Sequence, residues 1–63
     1  MSIGESIKLN RKQLGFKQKE LAEMCGLSQN YLSEIENGHR EPPVKTLRLI
    51  AEKLNRELII IFN

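Results

Sequence analysis

One cysteine, one histidine and no tryptophan occur among the 63 residues, and each scarcity excludes something. A lone cysteine cannot close an internal disulfide, and no zinc-ligand cluster surrounds it. Cys25 stands beside Gly26 on an apolar face, as a small core residue rather than a reactive thiol. His39 has no cysteine or carboxylate partner at metal spacing, so neither a zinc site nor a catalytic base is expected of it. Ser28 and Ser33 lack an activating partner, and a chain this short has little volume for a substrate cavity. No enzyme, cofactor or metal is expected. The longest apolar run, Leu58 to Phe62, is far too short to cross a bilayer. The first residues, Met1 to Ser6, lack the basic-then-apolar pattern of a secretion signal, so a cytoplasmic protein is expected. There are no repeats and no low-complexity segments.

What remains is an ordinary globular composition, 40% hydrophobic and 29% charged, sized for one domain near the lower limit for independent folding. The formal charge of +2 is only mildly basic. Its distribution says more. Lys8, Arg11, Lys12, Lys17 and Lys19 follow one another with no acid among them, and Glu20, Glu23, Glu34 and Glu36 come after. That asymmetry suits one basic surface on a near-neutral body. A solvated helix face would look the same, and charge alone does not separate the two.

Hydrophobic spacing divides the chain into helices. Ser2 to Glu5 fits a capping box, and Ile3, Ile7, Arg11 and Leu14 recur at helical intervals up to Gly15. Leu9 falls off this stripe. Phe16 can pack as a staple across the next first turn. Lys17 stands at the following N-cap with no acceptor to offer, which leaves the orphan amides beside Gln18 open to water or a phosphate. After the loop His39 to Pro43, a last helix starts near Pro43 or Val44 and ends at Asn55, with Val44, Leu47, Ile50, Ala51 and Leu54 on one face.

The stretch from Gln18 to Gly38 organises the rest. It predicts two short helices joined by a tight turn at Gly26, where a left-handed residue ends a helix without a Cβ clash. Leu21, Ala22 and Cys25 share one face of the first, and Leu32 and Ile35 share one face of the second. Ser28 supplies the N-cap of the second helix. That helix exposes Gln29, Asn30, Ser33 and Glu34, whose short polar groups can read base edges in the major groove of DNA. Tyr31 can pack on a sugar-phosphate edge or on a neighbouring helix.

The tail breaks the helical pattern. Leu58, Ile59, Ile60, Ile61 and Phe62 favour a strand that is apolar on both faces. A lone strand with two open edges is an aggregation hazard, so pairing with its copy across a two-fold axis is expected. Irregular chain packed on its own core is the alternative.

Residues 3–55 resemble the helix-turn-helix domain of the Cro and phage-repressor class, the XRE family. The match rests on Gln18, Leu21, Ala22, Gly26, Leu27, Ser28, Ile35, Glu36, Asn37, Gly38, Arg40 and Pro42. The resemblance implies an all-α, compact four-helix bundle of the lambda-repressor type over residues 1–55; residues 56–63 lie beyond it and are expected to be the dimerisation strand. It implies that Ser28 to Glu36 enters the major groove of double-stranded DNA. Gln29 and Asn30 match base-contacting positions, and Glu34 matches another, where the family often has Gln. Gln18 matches a phosphate clamp. Asn37, His39 and Arg40 hold phosphates beyond the helix, with Lys17, Ser28, Tyr31 and Lys45 as further backbone contacts. Arg11 and Glu36 match an internal ion pair. The function implied is a dimeric repressor reading a palindromic operator. Antitoxins of toxin–antitoxin pairs are similar too, tail included, which makes a toxin protein an alternative partner.

Overall fold

The computed structural model describes residues 2–54, and four α-helices lie among them: α1 (Ile3–Gln13), α2 (Gln18–Met24), α3 (Gln29–Glu36) and α4 (Val44–Lys53). The expected strand and dimer seam, Leu58 to Phe62, lie outside the described residues, as does the expected helix end at Asn55.

The helix starts follow local chemistry. The Ser2 hydroxyl accepts from the Glu5 amide and the Glu5 carboxylate accepts from the Ser2 amide, both at 3.1 Å, which completes the capping box of α1. The Ser28 hydroxyl accepts from the Tyr31 amide at 3.0 Å and caps α3. The start of α2 adds a contact to what was expected. Lys17 offers no side-chain cap, but the Glu20 carboxylate reaches back to its amide at 2.8 Å. The Gln18, Lys19 and Glu20 amides in the first turn of α2 have no acceptor among the described residues.

The first three helices end by one device. A glycine with φ of 81°, 67° or 78° (Gly15, Gly26, Gly38) follows each C-cap, and the next residue's amide reaches back to an orphan carbonyl. These bonds run from Phe16 to Arg11, Leu27 to Ala22 and His39 to Glu34, at 2.9–3.1 Å. The turn at Gly26 therefore sets the angle between α2 and α3.

Packing follows from the apolar faces so placed. α3 lies against both α1 and α2, and α4 packs on α2. Ile7, Leu21, Leu32, Ile35, Ile50 and Leu54 are fully buried at the centre, joined by Ala22, Cys25, Leu47 and Ala51. Burying each large aliphatic side chain contributes roughly 1.5–3 kcal/mol. Burial also pushes the Cys25 thiol up from its ordinary pKa, against a smaller opposite pull from Lys53. Leu14 and Val44, expected on apolar stripes, are 40% and 52% exposed. Each stands at a helix end, where periodicity no longer guarantees that a neighbour lies opposite.

Candidate nucleic-acid interface

A helix of eight residues has to be held firmly if it is to present side chains with any precision, and α3 is held at its far end by charge. Arg11, from α1, donates through Nε to Glu36 Oε2 (2.8 Å) and through Nη2 to Glu36 Oε1 (3.1 Å). Its Nη1 donates to the Phe16 carbonyl at 2.8 Å. The two side chains are 8% and 1% exposed. One guanidinium thus ties α1, the turn after it and the last residue of α3 together, with its charge paired and hydrogen-bonded as burial requires. Gly4 lets α1 come this close. A Cβ there would overlap the Ile35 carbonyl oxygen and stand 2.8 Å from that of Glu36.

The same carboxylate sets the next two side chains. Glu36 Oε1 can only accept, so Gln18 presents its amide nitrogen to it (Nε2 to Oε1, 3.2 Å). Gln18 Oε1 is then left facing α3, where Gln29 Nε2 donates to it at 3.3 Å. Each amide orientation is dictated by the one before it. Gln29 is exposed at the first turn of α3, and its carbonyl oxygen and second side-chain N–H have no partner among the described residues. That is the donor–acceptor pair needed to meet adenine N6 and N7.

At about 100° per residue, Asn30, Ser33 and Asn37 share the central outer stripe of α3. Asn30 and Asn37 are exposed and Ser33 is half-buried. Asn37 Nδ2 donates to Ser33 Oγ at 3.3 Å, which leaves the serine hydroxyl proton available to an outside acceptor. Gln29 and Glu36 fall to one side of this stripe, Tyr31 and Glu34 to the other. On that second flank the Arg40 guanidinium lies over the Tyr31 ring, 5.6 Å from its centroid, and Arg40 Nε stands 3.3 Å from Glu34 Oε1. Glu34 therefore already faces a cation within its own chain. Tyr31 is half-buried against the core, with Arg40 on its outer side.

The other expected backbone contacts, Lys17, His39 and Lys45, are exposed, and Gln18 is half-buried in the network just described. Sequence reasoning missed two buried positions on α1, Gly4 and Ser6. A glycine in the first turn of a helix costs stability, and that cost was the available signal of close approach. Ser6 is 4% exposed and its hydroxyl has no partner among the described residues; no sequence signal marked it. Among the described residues no three His, Cys, Asp or Glu side chains come together to hold a metal ion. No helix there is long and apolar enough to cross a membrane.

Comparison with known proteins bears on this arrangement. The helix-turn-helix family model matches residues 7–61. The chain is 44% identical over 59 residues to the ImmF control region 10 kDa protein of Bacillus phage phi105, covering 94% of this chain and 66% of that one. It is 40% identical over 62 residues to the HTH-type transcriptional regulator SlrR of Bacillus subtilis, covering 97% of this chain and 41% of that one. Among solved structures, SinR, the master regulator for biofilm formation, in complex with DNA superposes with a TM-score of 0.90 at 32% identity, over 97% of this chain and 98% of that one. The chain thus spans two-thirds or less of the length of these two sequence relatives.

Proposed function

The chain belongs to the XRE-type helix-turn-helix family, which comprises DNA-binding transcription regulators rather than enzymes, and from that premise we propose that it is a dimeric, sequence-specific repressor that lays α3 in the major groove of a palindromic operator. Gln29, Asn30 and Ser33 read base edges. Lys17, Gln18, Ser28, Tyr31, Asn37, His39, Arg40 and Lys45 meet the phosphate backbone on either side. Two copies, paired through residues 58–62, double the few base contacts one module makes and place half-sites about 34 Å apart, one helical turn.

The observation that carries this reading is the relay from Glu36 through Gln18 to Gln29, because it occupies one N–H of Gln29 and leaves its carbonyl oxygen and other N–H uncommitted. A merely solvated glutamine would need no such ordering. Support also comes from the neighbour solved with DNA, whose fold this chain shares along nearly its whole length. The relatives named above are a phage control-region protein and a chromosomal regulator. The antitoxin alternative draws nothing from them.

Binding of the intact chain to duplexes selected from a random pool tests the reading. Affinity should fall steeply between low and moderate salt, as counterion release requires. Gln29→Ala should cost ~1–3 kcal/mol and relax preference at one base pair. If it weakens all sequences equally, Gln29 is a backbone contact. Salt-insensitive binding, or none to any duplex, would remove the DNA reading. A monomeric mass by sedimentation would remove its two-fold part.

A further inference from the structure

The flank of α3 opposite Gln29 holds three side chains in an arrangement that DNA binding by polar contacts alone does not explain. Tyr31 and Glu34 are spaced i and i+3, so they stand one above the other on α3. Arg40, in the loop beyond the helix, folds back over both: its guanidinium carbon lies 5.6 Å from the Tyr31 centroid and its Nε 3.3 Å from Glu34 Oε1. Nε makes the nearest approach, and no guanidinium N–H of Arg40 is committed to a hydrogen bond among the described residues. Both partners are about half exposed, 54% for Arg40 and 45% for Glu34. A guanidinium resting on a ring and tethered at one edge keeps its outer fork free, and that fork matches a phosphate in bidentate fashion.

Resting on the DNA reading above, we propose that Glu34 acts through Arg40 rather than on a base: with Tyr31 it braces the guanidinium beside the recognition helix so that its outer nitrogens meet a backbone phosphate. Glu34 is then a positioning residue, and Tyr31 supplies the platform. At about 100° per residue Glu34 lies about 40° round α3 from Asn30, on the flank of Tyr31 and Arg40, and on the DNA reading that flank runs beside backbone phosphates. A bare carboxylate there would be repelled by them. Arg40 both occupies Glu34 and converts the flank from repulsive to attractive.

The test is a double-mutant cycle on duplex binding, with each base pair of the selected site varied in turn. Arg40→Gln should weaken binding of the parent chain by about tenfold and lower the salt slope by about one. In a Glu34→Gln background the same change should cost about two- to fivefold less. Glu34→Gln should leave the base preference unchanged at every position. Tyr31→Phe should keep the contribution of Arg40, and Tyr31→Leu should reduce it. A change of preference at one base pair on Glu34→Gln would make Glu34 a base reader and overturn the proposal. So would a larger cost of Arg40→Gln in the Glu34→Gln background, which would mean that the pair must break on binding. Parent protein that binds duplex while Arg40→Gln leaves affinity unchanged overturns the brace alone. Parent protein that binds no duplex overturns the brace together with the DNA reading.

Discussion

Two arginine–glutamate pairs flank the same helix, with glutamates two residues apart, and they differ in almost everything except composition. Arg11 and Glu36 meet through two bonds of 2.8 and 3.1 Å and are almost wholly shielded from water. Arg40 and Glu34 meet through one contact of 3.3 Å with about half of each side chain in solvent. The first pair is desolvated, so each charge depends on the other. The second is screened, and either partner can turn to water or to a new ligand at little cost. The lesson is that burial assigns the roles: one pair builds the helix's position, and the other is available for work at the surface.

The sharpest way to break that contrast is to delete one member of the buried pair. Arg11→Ala should destabilise by ~3–5 kcal/mol, since it leaves Glu36 charged and alone. A chain of this length has about 3–9 kcal/mol in all, taking 0.05–0.15 kcal/mol per residue. Thermal unfolding should therefore show a midpoint lowered by ~12–40 °C, at about 4–8 °C per kcal/mol for a domain of this size. Replacing both members, Arg11→Met with Glu36→Leu, should recover most of the lost stability, because well-packed apolar residues replace such a pair at little cost. The same double variant removes the acceptor for Gln18. Duplex selection should then show preference relaxed at the base pair read by Gln29, in a protein that denatures almost as the parent does. Recovered stability with unchanged preference would separate the ion pair from base reading altogether.

The exposed pair should behave in the opposite way. Glu34→Gln should change the denaturation midpoint by an amount equivalent to under ~1 kcal/mol, whatever it does to DNA binding. A larger loss would place Glu34 with the structural residues. The smallest effect concerns a third carboxylate. The amide of Ser2, then its hydroxyl, hold the Glu5 carboxyl below its ordinary pKa. A carboxylate lowered in this way stabilises the folded state above its unfolded value and loses that contribution as pH falls through the folded one. Amide exchange in the first turn of α1 should lose protection over that acid range, while protection of the core helices persists to lower pH.

Much of the architecture was legible because local chemistry decides it. Ser2, Ser28 and the glycines at 15, 26 and 38 punctuate the chain in ways that depend on a few neighbouring residues. The apolar periodicity in α2 and α3 is regular enough to give the buried face directly. Leu14 and Val44 escaped the same logic because a stripe says which way a residue points and not what lies opposite. The polar residues on the outer side of α3 could be named from position and type. The Arg11–Glu36 pair was reached through the family resemblance and not through spacing, and the bonds from Gln18 to Glu36 and from Gln29 to Gln18 were not reached, since no spacing rule links residues 18 or 11 positions apart.

The order of the residues alone determined the helices, their ends, the inward faces and the helix that carries short polar groups outward, because each rests on contacts within one or two turns. Resemblance had already paired Arg11 with Glu36; only the folded chain decided how deeply that pair would be buried and that Glu34 would stand beside Arg40. Those fates depend on which helix ends meet, at Gly4 and the last turn of α3, and desolvation is a property of neighbours brought from far along the chain.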